Sequence, residues 1–452
     1  MSTTWTEHIR AVCLAPGNSE IGATTKNKVD KFTENSLQAN RMKKQFRARS
    51  NVSDRFTALG TIVILLFAGA LTTVEAAEWR IEPVLRAAAD FEDNPFLSIL
   101  TDFESQSGYI VEGSAEISYF SDKSSFYVEP TLRTRAYGSS SPLDSDDQFL
   151  SFGFNKSSQS TDFRIRGNYS RESVRTAERA DTDFDITDPD DIPDDDTGVI
   201  DIQDRRERLL LTPSLLYRLN DISALSARLN YQDVRYDEAF AGVLTDYTDS
   251  RLNISYRRSW SERNIAILGA TYRKYQTDQG DNEVDGIGFN VGFDRAISQT
   301  TQFRATAGLE DTETSATDSE VSWVTNISLV RQLQTTTLLA QYERSISASG
   351  SGALGARDSI NLNFTRRLND LISAGIGARV YSTNSVDKAL TFDERDYVQL
   401  RAQFTWYISP VYSIDANYRY TFLNRAALLE SANSNQITLW FNYRPLPITR
   451  SR

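Results

Sequence analysis

The chain is poor in the residues that most protein chemistry depends on. Its 452 residues hold one cysteine (Cys13), one histidine (His8) and two methionines, and all four stand before residue 77. Beyond that point no disulfide framework can form, and metal sites built on histidine or cysteine are excluded. Nucleophile–histidine hydrolysis has no imidazole to serve as its base, so an enzyme is not expected and no cofactor is called for. Long apolar runs are also missing. Nothing past the N-terminal region approaches the ~20 consecutive apolar residues of a membrane-spanning helix, and the mean hydropathy is −0.43. The net charge is −12, and the basic residues are denser before residue 77 than after it. An acidic chain of this kind does not suggest a nucleic-acid partner.

The longest apolar segment is Thr61–Leu71, "TIVILLFAGAL". Lys43, Lys44, Arg47, Arg49 and Arg55 precede it, and Val74-Glu75-Ala76 follows with the small residues of a processing site. This is the layout of a secretory signal peptide over 42–76. A membrane anchor fits less well, because the apolar core is short. Met42-Lys43-Lys44 reads as the natural start of that peptide, which makes 1–41 an extension from an upstream start and 77–452 the working chain.

From Trp79 onward the dominant pattern is strict alternation. In "VQLRAQFTWYISPVYSIDANYRY" (398–420), Val398, Leu400, Ala402, Phe404 and Trp406 share one face, with Gln399, Arg401, Gln403 and Thr405 on the other. The pattern resumes after Ser409-Pro410, with Ile414, Ala416, Tyr418 and Tyr420 against Asp415, Asn417 and Arg419. Side chains of a strand alternate between faces, so this is a hairpin with one apolar and one polar side. Each arm has the ~9–11 residues that a tilted strand needs to cross a bilayer. The same alternation can be followed through about eighteen segments, sixteen being the alternative count. The expected fold is all-β: a transmembrane, antiparallel, up-and-down β-barrel. A soluble sandwich, solenoid or propeller is the competing architecture. It accounts less well for alternation in nearly every strand and for aromatics on the apolar face near strand ends. Trp260, Trp323, Trp406 and Tyr418 are the expected membrane-interface girdle.

Short turns recur with an apolar residue followed by a polar pair: Leu219-Asn220-Asp221, Trp260-Ser261-Glu262, Ile297-Ser298-Gln299, Leu333-Gln334-Thr335 and Leu368-Asn369-Asp370, with Ile408-Ser409 before Pro410. Longer segments rich in Gly, Ser, Asp and Asn lie between them. Short turns at one end and long loops at the other is the asymmetry of outer-membrane barrels, which puts the N-terminus in the periplasm and the long loops outside the cell. The longest loop is expected over 172–205, where residues 181–204 carry many Asp and no Lys or Arg. Asp190, Asp191, Asp194, Asp195 and Asp196 are dense enough to be considered for Ca²⁺, but the spacing of an EF-hand is absent. A solvated surface loop fits better.

Turning the apolar face to lipid leaves Arg133, Arg135, Arg164, Arg166, Arg228, Arg251, Arg257, Arg304, Arg379, Arg401 and Arg419 facing inward, with fewer acids, among them Glu112, Glu116 and Asp415. Glu112 is expected opposite Arg133, and Arg401 opposite Arg419. Two readings follow. One is a water-filled lumen, somewhat cationic, passing small polar or anionic solutes. The other is an interior whose charges only satisfy one another.

After the first strand comes "DFEDNPFLS" (Asp90–Ser98), in which Asn94-Pro95 is a turn signal. A first strand ending near Asp93-Asn94, followed by a whole chain of alternating hairpins, resembles the outer-membrane β-barrel porin families, including barrels associated with exosortase and exopolysaccharide systems of Gram-negative bacteria. That resemblance implies a barrel in the outer membrane, in contact with its lipid and lipopolysaccharide. It also implies a second role: a non-conducting component of exopolysaccharide or surface-polymer export, with polysaccharide-export proteins as partners. The chain departs from many such barrels at its end, where "LWFNYRPLPITRSR" runs on past Trp440, Phe441 and Tyr443 to Arg452.

Overall fold

The computed structural model describes residues 77–98, 105–138, 141, 143–177, 204–237, 244–278, 283–314, 319–348, 350, 352, 354–385, 394–425 and 430–451. The expected extension 1–41, the signal peptide 42–76 and the five aspartates weighed for Ca²⁺ lie outside these residues. The strands are β1 (Glu78–Glu92), β2 (Gln106–Phe120), β3 (Ser124–Ala136), β4 (Ser145–Ser157), β5 (Thr161–Ser173) and β6 (Arg205–Asn220). They continue with β7 (Ser223–Tyr236), β8 (Tyr247–Ser261), β9 (Asn264–Thr277), β10 (Glu283–Ser298), β11 (Thr301–Thr314) and β12 (Glu320–Gln332). The last are β13 (Thr336–Ala348), β14 (Leu354–Arg367), β15 (Ile372–Ser385), β16 (Arg395–Tyr407), β17 (Tyr412–Arg425), β18 (Glu430–Tyr443) and β19 (Ile448–Ser451). One helical turn, α1 (Val174–Ala177), follows β5.

Each strand pairs antiparallel with its neighbours in sequence, and β1 closes the ring on the last stave. That stave is interrupted. Leu85–Glu92 pair with Tyr443–Gln436 of β18, and Glu78–Ile81 pair with Ser451–Ile448 of β19. The break falls at Pro445 and Pro447, which have no N–H to give a ladder. The run-on after Tyr443 is thus the lower part of the eighteenth stave. The molecule is a closed eighteen-stave barrel, and closure leaves no unpaired edge.

Alternation sets what each face touches. Leu132, Leu268, Phe289, Leu309, Ile376 and Leu439 are all exposed, and so are Trp260, Trp323, Trp406 and Tyr418. An apolar band around the whole outside is intolerable in water and suits hydrocarbon. Trp260 and Trp406 stand near the short-turn ends of their strands and Trp323 near the opposite end. Tyr418 stands mid-strand, seventh of the 14 residues of β17, where its hydroxyl donates to Asn435 Oδ1 at 2.7 Å.

The recurrent turn motif has a structural meaning. The register slips between Arg218 and Asn220, between Ser259 and Ser261, and between Ala296 and Ser298. The residues skipped are Leu219, Trp260 and Ile297, the apolar members of the motif. Each is the extra residue of a β-bulge, and each is exposed on the outer wall. The polar residue after it holds the turn: Asn220 Oδ1 accepts from Ile222 N at 3.1 Å, Asn369 Oδ1 from Leu371 N at 2.8 Å, and Ser409 Oγ from Tyr412 N at 3.2 Å. Asn and Ser suit such turns because a short side chain reaches the backbone N–H groups just ahead of it.

The long connection expected over 172–205 is shorter at both ends. β5 continues to Ser173 and β6 begins at Arg205, its cross-strand partner. Arg171 stands opposite Glu207 and Glu172 opposite Arg206. Composition marks this stretch as charged loop, but opposite charges facing each other extend a ladder.

Candidate functional site

The interior is shaped by three segments that turn inward at the long-loop end. The first follows β1. Asn94 folds it on itself, accepting from Ser98 N at 2.9 Å and donating to Ser98 O at 2.9 Å and Asn433 O at 3.0 Å. Asp93 accepts from the Asn435 backbone and side chain, both at 2.7 Å. Leu97 has φ +46°, the one positive φ outside glycine among the described residues. Its buried side chain packs on Tyr381, Tyr397, Leu423 and Ala432 of β15 to β18. The two tyrosine rings stack at 4.8 Å, with the Arg357 guanidinium 4.7 Å from the Tyr381 ring. A leucine in the left-handed region costs roughly 1–2 kcal/mol, so these contacts hold the segment against its own backbone preference.

The second segment is α1. Arg175 pairs with Glu92 at 2.5 Å and donates through Nε to Pro95 O at 2.7 Å. This bond ties the turn after β5 to the turn after β1.

The third is the tip of the β13–β14 hairpin. Pairing between β12 and β13 stops at Thr325–Arg344, while β13 and β14 stay paired out to Ala348–Leu354. Ser345, Ile346 and Ser347 are buried in succession, so alternation fails and both faces of the tip are covered. The tip has parted from β12, while β14 stays paired with β15 out to Gly355–Ser385. Arg251 of β8 and Arg273 of β9 both donate to Ile346 O at 2.7 Å. Ile346, Leu354 and Ala356 join Val174, Tyr247, Tyr275 and Val284 in one buried apolar cluster.

Charges on the inner wall fall into two regimes. On β1 to β11 most have a partner. Glu112 holds Arg86 at 3.1 Å and its cross-strand neighbour Arg133 at 2.7 Å. Arg135 lies 3.6 Å from Asp147 and donates to Thr176 of α1. Arg273, fully buried, takes both oxygens of Asp249 at 2.9 and 2.8 Å. Arg257 and Arg304 share Asp294 at 3.4 Å, beside a cavity of about 660 Å³ that Gln302 and Ser328 also line. Arg166 stands opposite Thr212, Arg228 opposite Ser214, and Arg164 opposite Asn155 nearer the short-turn rim. Glu116 faces a like charge, Glu82, which itself holds Arg80 at 2.6 Å.

On β14 to β17 the balance is different. Arg357, Arg379, Arg395, Arg401, Arg419 and Arg425 share the inward register, and among the described residues Asp415 is the one acid there. Arg401 is the cross-strand partner of Arg419, and Arg395 of Arg425. Arg419 donates to Gln436 at 3.0 Å, while Asp415 is engaged by Asn442 at 2.7 Å.

The alternation-based list and the geometry differ in two ways. Arg379 is almost wholly buried, at 3% exposure, and Arg135 is covered by α1. Face assignment cannot see the inward segments that bury them. The list also lacks Asp90, Glu92, Asn94, Arg175, Arg273, Arg357, Arg395 and Arg425. Arg273 follows from the parity of its strand. Arg357 and Arg395 sit at strand starts, where boundaries drawn from sequence are weakest. Asp90, Glu92 and Asn94 lie in the segment read only as a turn. No group of three or more potential metal ligands occurs among the described residues.

No protein-family model matches the chain, and no curated protein does. Among solved structures it is similar to OccAB4 of Acinetobacter baumannii (TM-score 0.43, 11% identity, covering 84% of this chain and 99% of that one). It is also similar to the outer membrane channel DcaP of Acinetobacter baumannii (0.40, 10%, 82% and 97%), and to the outer membrane protein OpdK of Pseudomonas aeruginosa (0.43, 10%, 82% and 99%).

Proposed function

We propose that the protein is a porin-like passive channel of the outer membrane for small polar solutes, with a preference for anions. The short-turn end, where β1 starts and β19 ends, faces the periplasm, and the long loops face outward. The observation that carries this reading is the β16–β17 hairpin. Like charges directly opposite destabilise a sheet, yet Arg401 faces Arg419 and Arg395 faces Arg425 on one inner surface. A wall built only to satisfy itself would place acids there, as β1 to β3 do around Glu112. A passing anion gains from an inner surface on which cations outnumber acids in the inward register. The test is reversal potential in a planar bilayer under a salt gradient. Anion preference that falls in the Arg401→Gln/Arg419→Gln protein supports the reading; absence of any current from the refolded wild type removes it.

A second reading is a non-conducting component of exopolysaccharide or surface-polymer export. It is favoured by the inward segments tied through Glu92–Arg175 and Arg273–Ile346, which narrow the interior at the long-loop end. A silent wild type that copurifies with polymer-export proteins would support it.

A further inference from the structure

The turn motif carries a second regularity, on the outside of the barrel. Two residues before the apolar turn residue stand Arg258 on β8, Arg295 on β10, Arg331 on β12 and Arg366 on β14. All four are exposed, and their parity is that of Trp260, Ile297, Leu333 and Leu368, the lipid-facing wall. The same position on the flanking strands is aromatic: Tyr217 on β6 and Trp406 on β16, both exposed. The arginines therefore form an arc on alternate strands of one side of the barrel, at the short-turn rim.

None of their cross-strand partners is acidic. The cross-strand partners of Arg258 are Ser223 and Ala266, and those of Arg295 are Asn264 and Phe303. Those of Arg331 are Thr301 and Leu338, and those of Arg366 are Thr336 and Ala374. None of the four guanidiniums makes an ion pair, a hydrogen bond or a ring contact within the described residues, in contrast to the inner-wall arginines. Above and below each one the same face is apolar. Arg295 lies between Phe293 and Ile297, Arg331 between Leu329 and Leu333, and Arg366 between Phe364 and Leu368.

A cation on the lipid face is costly at mid-membrane and nearly free at the interface, where a long side chain can carry its charge to the headgroups. With no ion pair to them among the described residues, the membrane is the source of counter-charge at this rim. We propose that Arg258, Arg295, Arg331 and Arg366 form a binding arc for the phosphates of glycerophospholipids in the leaflet at the short-turn end, fixing the height of β8 to β14 in the bilayer and retaining an annulus of anionic lipid there. Guanidinium forks match phosphate oxygens two at a time, and adjacent arginines on alternate strands are spaced by two strand separations, about 10 Å, so neighbouring headgroups can be engaged together. This reading needs only a barrel in a membrane and does not depend on the channel proposal.

The test is native mass spectrometry of the full-length barrel reconstituted with phosphatidylglycerol in a phosphatidylcholine background. The wild type should retain phosphatidylglycerol selectively, with retention weakened about fivefold for each arginine removed and lost in the R258Q/R295Q/R331Q/R366Q protein. The inward control R401Q/R419Q should retain it fully. Inorganic phosphate at millimolar concentration should leave the retained lipid in place. Equal retention by the fourfold variant and the wild type would overturn the proposal, as would release by inorganic phosphate, which would mark a simple anion site. Should the fourfold variant fail to refold, R258Q/R295Q and R331Q/R366Q are tested separately, and retention unchanged in both overturns it equally. Concentration-dependent self-association abolished by the fourfold variant, with no lipid retained by the wild type, would assign the arc to a second copy of the chain instead.

Discussion

The inner wall of β1 to β11 and that of β14 to β17 both carry arginines at alternating positions, yet they differ in the acids beside them. On the first, acids stand within reach of arginines, as Glu112 does between Arg86 and Arg133 and Asp249 does beside Arg273. On the second, Arg401 faces Arg419 and Arg395 faces Arg425, as Arg251 faces Arg273 on the first, but Asp415 is the one acid of the inward register among the described residues. Breaking a buried ion pair leaves a stranded charge and costs several kcal/mol, so the first wall is committed to structure. The second carries more cations than acids in its inward register. A count of arginines alone would treat the two walls as one cationic lining.

The contrast can be broken most severely at Arg273. It is fully buried, bidentate to Asp249, and holds the β13–β14 tip through Ile346 O. Arg273→Ala should destabilise the barrel by about 3–5 kcal/mol, read as a lower urea midpoint for loss of heat-modifiable gel migration; an unchanged midpoint would show that the tip is held by its apolar cluster alone.

Glu112→Gln removes the acid between two arginines and turns that part of the first wall into a copy of the second. A stability loss of about 1–3 kcal/mol is expected, together with a stronger preference for chloride in reversal-potential measurements. A loss of stability with unaltered selectivity would mean that Arg86 and Arg133 lie outside the ion path.

The double change Arg401→Gln/Arg419→Gln acts on the second wall in the opposite sense. Removing a like-charged cross-strand pair should leave stability unchanged or raise it by roughly 0.2–1 kcal/mol, while chloride preference falls. Marked destabilisation would show the pair to be structural after all. The gentlest perturbation is salt. Raising ionic strength from 0.1 to 1 M shortens the Debye length from about 10 to about 3 Å, so wild-type selectivity should fade. Selectivity that held at high salt would point to a size filter formed by the inward segments.

Much of this was legible in the residues. Alternation identified the strands and their lipid face, because a period of two has one solution once one side must meet hydrocarbon. The position of Glu112 opposite Arg133 followed from a tight turn, since a short turn sets the register of the strands it joins. The segments folded inward were not legible. Asn94-Pro95 signals a turn without its direction, and Arg175 lies 83 residues from its partner Glu92 in sequence.

By itself, then, the sequence narrowed the barrel to eighteen strands or sixteen, assigned strand residues to a face and separated the short-turn end from the long-loop end, all consequences of local periodicity and turn chemistry. The tertiary structure alone decided that β19 completes the last stave, that the β13–β14 tip parts from β12, and that Leu97 fills the space beside Tyr381 and Tyr397. These outcomes depend on contacts between residues tens to hundreds of positions apart, and such distances are set by closing the barrel, which no local pattern encodes.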